Sequence, residues 1–309
     1  MAGFSKVTLP DGIELAYEIL GSDHLGLAIP IVLVGGMTSC RVDWERLSSR
    51  LAHNRPVLIY DHRGMGDSTY EENDSFTIES LARDLLFLLQ FIGWNELAIC
   101  GHSMGGAITQ QLLFLPHHAT EPTPLPFHVT HVVLSATLPA VLRDPRYGVK
   151  FAPRPAGPLT EDIKRNVVRQ SMAANYDPEW FADEKNQARI NWAVEHGIIG
   201  RPFKTIEKQK RAVSRFDFGG LHSKLSSDIP FLIIHGKLDQ ILPFSNVEAF
   251  QKVIPWAKVV QVGDRPGEIP SYQFGHNWFE YFQAQTWLDA IEVFLQSTGS
   301  DNAEDKARL

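Results

Sequence analysis

The chain has 309 residues, long enough to bury roughly three-quarters of its unfolded surface. Hydrophobic residues at 44% and charged residues at 21% exclude a disordered or fibrous chain. A net charge of −7 argues against a surface built to grip nucleic acid or anionic lipid, so neither is expected as a partner. Two cysteines, Cys40 and Cys100, exclude a disulfide scaffold and a thiolate-only zinc site, and they suit a reducing compartment. The longest apolar run, 25–37, contains Gly and Pro and falls short of the roughly 20 residues that span a bilayer, so no integral membrane segment is expected. The first residues lack the apolar core of a signal peptide, which points to a cytoplasmic location and against secretion.

In chain order, two alternating runs around Asp11-Gly12 predict a β-hairpin. Residues 29–34 and 57–60 read as buried strands, 78–92 as an amphipathic helix, 97–100 as a strand, 107–115 as a helix and 131–135 as a strand. Near-continuous apolar strands separated by helices predict an α/β fold with a mostly parallel sheet covered on both faces. The alternation stops after Leu138. Through 139–217 the chain shows helical stretches broken by Pro and Gly, opened at Thr160 and at Asp177-Pro178, with another over 204–215. Strands resume at 230–234 and 258–262, and 277–295 reads as one long amphipathic helix. The expected division is a core of residues 1–138 and 218–309, with a helical cap of 139–217 inserted over the C-terminal edge of the sheet, where open α/β folds bind ligands.

Gly101-His102-Ser103-Met104-Gly105 fits G-x-S-x-G between a strand and a helix. A serine on so tight a turn has strained backbone geometry and needs small neighbours, here Gly101 and Gly105, while the following helix aims its positive end at the reacting centre.

With this elbow the sequence resembles the α/β-hydrolase superfamily over nearly all of the chain outside the insertion. Asp61-His-Arg63-Gly64-Met-Gly66-Asp-Ser68 looks like the family's D-x-R-G-x-G-x-S loop. Ile234-His-Gly236-Lys-Leu-Asp239 is similar to its acid-bearing strand end, and Gly275-His276 to its histidine loop. The resemblance implies the order Ser, acid, His. Ser103 is then the nucleophile, Asp239 the acid and His276 the base. Asp264, after the next strand, competes with Asp239. Of the other histidines, His24, His53, His117 and His118 read as surface residues, and His102 and His235 as packing or hydrogen-bonding residues. Residues 263–275 form a longer approach to the histidine than is usual in the family.

The resemblance also implies an oxyanion hole of two backbone N–H groups. Met104 supplies one, and Met37, after Gly35-Gly36, supplies the other. Gly35 stands where family members often carry histidine, a change that bears on how rigidly the loop is held.

The implied activity is acyl transfer to water: hydrolysis of a carboxylic ester, lactone or thioester through an acyl-enzyme, with no metal or organic cofactor. Serine at the elbow excludes an Asp-nucleophile epoxide hydrolase or dehalogenase. A carbon–carbon bond hydrolase or lyase on the same residues, or a ligand-binding receptor with vestigial catalysis, are the alternatives. The segment 139–217 carries fifteen Lys and Arg against ten Asp and Glu. That excess is read as a solvated basic surface or as steering of anionic substrates, with Lys208, Lys210 and Arg211 as the candidate cluster. Trp180, Phe181, Trp192 and Phe203 are candidates for an acyl pocket or for plain cap core. The terminal Ala307-Arg308-Leu309 resembles the small-basic-leucine peroxisomal address, which would add an import receptor as partner and the peroxisome as location.

Overall fold

The structure is a computed structural model that describes residues 3–71, 76–152, 157 and 160–297; the terminal tripeptide Ala307-Arg308-Leu309 lies outside these. The hairpin around Asp11-Gly12 is formed by β1 (Ser5–Thr8) and β2 (Glu14–Leu20), paired antiparallel. To it are added β3 (Ile31–Val34), β4 (Val57–Tyr60), β5 (Glu96–His102), β6 (His128–Ser135), β7 (Phe231–Ile234) and β8 (Lys258–Val259). Among the described residues these make an 8-stranded sheet in the order β1-β2-β4-β3-β5-β6-β7-β8. The β2–β4 pairing is antiparallel, and every pairing from β4 to β8 is parallel. β8 is shorter than the five residues expected.

The period-two alternation of strands divides the core cleanly. Val32, Val34, Leu97, Ile99, Val132 and Leu134 face one layer, which contains α2 (Ile78–Ile92), α3 (Met104–Phe114) and α8 (Asn246–Val253). Ile31, Leu33, Ala98, Cys100, Leu232 and Ile234 face the other, with α1 (Glu45–Leu51) and α9 (Ala284–Gln296). Helix α2 has the bounds expected because both ends are marked. The Thr77 side chain accepts from the Ser80 N–H at the start, and Gly93 ends the helix at φ 76°.

The final helix is shorter than the 277–295 expected. A single 3₁₀ turn covers Trp278–Glu280, and the chain is then extended at Tyr281 and Gln283 with Phe282 at φ 61° before α9 begins. The apolar period runs on across this break because Trp278 and Trp287 are both fully buried in one cluster, their rings 4.7 Å apart. The indole N–H of Trp287 donates to the Tyr281 carbonyl at 2.7 Å.

Between β6 and β7 the described residues form helices and no strand: α4 (Glu161–Ala173), α5 (Pro178–Ala182), α6 (Glu184–Gly197) and α7 (Phe203–Val213). Thr160 caps α4 and Asp177 caps α5 by side-chain hydrogen bonds, as their sequence positions imply. Helix α6, capped by Asp183, is additional to the helices singled out from sequence. This segment joins the core through buried apolar residues such as Tyr176, Ala212 and Phe216 and through polar ties. Arg189 on α6 bonds both carboxylate oxygens of buried Glu280, which Arg46 on α1 also contacts at 3.2 Å. The Gly66 N–H donates to the Gly200 carbonyl at 2.7 Å, and the Tyr281 hydroxyl to Asp177 at 2.9 Å.

Candidate active site

Ser103 stands at the junction of β5 and α3 with φ 55° and ψ −121°, a region L-residues avoid. Its neighbours explain how the turn closes. A Cβ added to Gly105 would fall 2.1 Å from the Val34 carbonyl oxygen, so only glycine lets α3 approach β3 there. A Cβ on Gly36 would lie 3.0 Å from the Ser103 Cβ, which places the loop after β3 directly against the elbow. The Thr137 hydroxyl donates to the Ser103 carbonyl at 2.6 Å and braces the turn.

Parallel strand ends and one loop bring the sequence candidates together. The Ser103 Oγ lies 2.9 Å from His276 Nε2, and His276 Nδ1 lies 2.8 Å from Asp239 Oδ2. The other carboxylate oxygen of Asp239 accepts the N–H groups of Ile241 at 2.8 Å and Leu242 at 2.9 Å. His235 approaches Oδ2 at 3.4 Å while its Nε2–H bonds the Leu242 carbonyl at 3.1 Å. Burial alone would push the Asp239 carboxyl up; attraction to His276 and hydrogen bonds from His235 and His276 outweigh this and hold it well below the usual carboxylate range. An ionised carboxylate only accepts, so His276 carries its proton on Nδ1 and turns the Nε2 lone pair to the Ser103 hydroxyl. Asp264 is exposed and takes no part in this arrangement.

His102 is buried, its ring 4.9 Å from that of His276 and edge-on to Trp44 and Phe279. Burial first, then the neighbouring His276, drives its pKa well below that of a free imidazole. It therefore packs as a neutral ring. The D-x-R loop is anchored by Asp61, which accepts from the Arg41 and Asp67 N–H groups at 2.6 and 3.0 Å, and by the buried Arg63–Asp84 pair.

The loop after β3 is held from two sides. On the core side, buried His62 donates from Nε2 to the Gly35 carbonyl at 2.9 Å; burial lowers its pKa to about 4, so the ring is neutral. On the other side, Gln209 of α7 accepts the Thr38 N–H at 2.9 Å and Arg201 donates to the Thr38 carbonyl at 2.9 Å. His62 occupies the first of the three variable positions of the D-x-R-G-x-G-x-S motif. Gln209 and Arg201 belong to no motif; their only sequence signal is a polar break in a helical stretch.

A cavity of about 560 Å³ opens over Ser103 and His276. Gly36 and Met37 form part of its wall, and one face of α4, from Lys164 through Val167, Val168, Ser171 and Met172, forms another. Trp192 and Phe203 line it, whereas Trp180 and Phe181 pack against Tyr176. Lys208, Lys210 and Arg211 do not line it; Lys208 reaches the Glu71 carbonyl at 3.1 Å. Of the charged lining residues, Arg201 pairs with Asp43 and Glu280 with Arg189, while Lys164 is exposed and has no ion-pair partner among the described residues. The described residues contain no group of three or more His, Cys, Asp or Glu able to hold a metal ion, and no helix long and apolar enough to cross a membrane.

A parallel α/β sheet with a serine on a strained strand-to-helix turn, hydrogen-bonded to a histidine from the C-terminal part of the chain, defines a class of fold and site. The chain belongs to the alpha/beta hydrolase fold family, whose pattern matches residues 29–265. Among similar proteins, a putative carbamate hydrolase RutD of Pseudomonas savastanoi pv. phaseolicola is 24% identical over 87% of this chain and 99% of its own length. A 3-oxoadipate enol-lactonase of Acinetobacter baylyi is 24% identical over 80% of this chain and 84% of its own. An esterase from Exiguobacterium antarcticum shares the fold at TM-score 0.70 and 19% identity, with 95% of this chain and 99% of that one aligned.

Proposed function

We propose that the chain is a serine hydrolase of carboxylic esters, lactones or thioesters that works through an acyl-enzyme. The observation that carries this reading is the continuous hydrogen-bond relay Ser103–His276–Asp239, at 2.9 and 2.8 Å. In the first half-reaction the Ser103 Oγ attacks the carbonyl carbon while His276 Nε2 takes its proton. The carbonyl oxygen becomes an oxyanion held by the backbone N–H groups of Met37 and Met104. His276 then returns the proton to the leaving oxygen or sulfur, and the acyl group stays on Ser103. Water, deprotonated by the same nitrogen, releases the acid in the second half-reaction. Asp239 keeps the imidazole in the required tautomer and stabilises it when charged.

The helical segment 139–217 acts in this reading as a cap over the core 1–138 and 218–309, and its α4 face and Trp192 shape the acyl pocket. Similarity to a putative carbamate hydrolase and to an enol-lactonase supports ester-type chemistry over carbon–carbon cleavage. The test is labelling with a fluorophosphonate probe, together with turnover of p-nitrophenyl esters. Wild type should label at Ser103 and turn over; Ser103→Ala should do neither, with kcat/KM lowered by several orders of magnitude. A folded wild-type protein that neither labels nor turns over would favour a ligand-binding role instead.

A further inference from the structure

We propose that Gln209 and Arg201, both from the helical segment between β6 and β7, are positioning residues that fix the oxyanion loop by holding Thr38 from both sides of its backbone. The proposal rests on the reading of the Met37 N–H as an oxyanion donor and adds what aims it. Met37 lies between two anchors: the His62 bond to the Gly35 carbonyl, which comes from the sheet side, and the Thr38 bonds, which come from the inserted segment.

Thr38 has φ 67°. A β-branched residue does not rest there unaided, so its surroundings impose that conformation. The residue sits in a turn closed by the Ser39 N–H on the Gly36 carbonyl at 3.3 Å, and two contacts from the inserted segment hold it there: its N–H to Gln209 Oε1 at 2.9 Å and its carbonyl to Arg201 Nε at 2.9 Å. Arg201 is in turn fixed by the Asp43 carboxylate at 2.6 Å and the Ile199 carbonyl at 2.9 Å. Gln209 is fully buried, yet its amide Nε2 has no hydrogen-bond partner among the described residues. A buried unpaired donor is unfavourable for folding, and an apolar side chain of similar length would avoid it. The amide is therefore kept for its acceptor oxygen, which serves Thr38. With that acceptor removed, Thr38 can relax from its left-handed geometry, the Met37–Thr38 peptide turns, and the adjacent Met37 N–H loses its aim at the elbow. Docking of the inserted segment and assembly of the oxyanion hole are thus one event.

The test compares wild type, Gln209→Met, which keeps length and loses the acceptor, and Gln209→Glu, which keeps a carboxyl oxygen to accept. Each is assayed with p-nitrophenyl butyrate and with two inhibitors. One is a trifluoromethyl ketone, whose hemiketal oxyanion needs the loop donors. The other is its methyl ketone analogue, which reports ground-state binding. Outright loss of one oxyanion donor costs about 10²–10³-fold in kcat, and a misaimed donor less, so Gln209→Met should lower kcat about 10–100-fold with KM within about twofold. Affinity for the trifluoromethyl ketone should fall in parallel, affinity for the methyl ketone should hold, and Gln209→Glu should recover most of the loss. If Gln209→Met does not fold, Arg201→Lys, which keeps the charge and loses the Nε–H, should give the same split. Unchanged kcat, equal loss for both ketones, or no recovery in Gln209→Glu would overturn the proposal. A wild type inactive on the ester and blind to the trifluoromethyl ketone would remove the hydrolase reading itself; an active wild type matched by Gln209→Met would remove this inference alone.

Discussion

Replacing Asp239 by Asn probes the relay at the point where its geometry leaves the fewest choices. One carboxylate oxygen accepts the Ile241 and Leu242 N–H groups at 2.8 and 2.9 Å; the other faces His276 Nδ1 at 2.8 Å. An asparagine has one acceptor to divide between these. Turning its NH₂ toward the turn would set donor against donor and leave two buried N–H groups unpaired, at about 1–3 kcal/mol each. The amide oxygen therefore stays with the turn, and the NH₂ faces His276. Nδ1 must then accept, which puts the ring proton on Nε2 and points it at the Ser103 hydroxyl. The base has become a donor. A wrong-tautomer relay of this kind loses about 10⁴-fold in kcat, or about 5 kcal/mol of transition-state stabilisation. The assay is kcat and KM on p-nitrophenyl butyrate, with circular dichroism and thermal melting as controls for the fold. KM should change little. A loss below about 30-fold in a folded variant would refute the tautomer argument, as would a larger loss in Asp264→Asn.

Because Asp239 is held well below the usual carboxylate range, its protonation should add no limb to the kcat/KM profile near about pH 4, where an ordinary carboxylate titrates, and a log–log slope of two on the acid side would reveal a second essential group. Buried His62, neutral with a pKa of about 4 against about 6.5 unfolded, binds fewer protons folded than unfolded between those values, so its contribution is lost as pH falls through 6.5 toward 4. His62→Gln should lessen the drop in urea-unfolding free energy from pH 7 to pH 5 by about 2 kcal/mol; an unchanged drop would mean that the ring is charged or solvated. Lys164→Glu should lower kcat/KM for p-nitrophenyl hemisuccinate relative to the neutral butyrate by about 3–10-fold, less at high salt, whereas reversing Lys208, Lys210 and Arg211 should leave the ratio unchanged.

The sheet and the relay were legible because their residues carry local constraints. Gly101 and Gly105 mark a turn that tolerates nothing larger, Thr77 and Gly93 bracket one helix, and Ser103, Asp239 and His276 each follow a recognisable strand or precede a recognisable helix. What escaped depends on contacts distant in sequence. The break at 281–283 is invisible to periodicity because residues on both sides of it bury their apolar face in the same cluster. Gln209 meets Thr38 across 171 positions, and nothing in the residues around either forecasts the meeting. The departure at Gly35 was visible, but its counterpart was not: His62 supplies from the neighbouring loop a bond to the Gly35 carbonyl. The basic excess of 139–217 was also visible, yet only the fold separates Lys164 on the cavity wall from the lysines of α7.

Glu280 has a consequence for traffic through the cavity. Its buried carboxylate is gripped by Arg189 from α6 and Arg46 from α1, so raising α6 would strip it of one of its two cationic partners, and breaking a buried ion pair is unfavourable. Phe151 and exposed Lys164 also border the cavity, and Lys164 has no ion-pair partner among the described residues. If passage runs along the α4 side while α6 stays seated, the rate of product departure should follow changes at Phe151 far more than changes at Arg189.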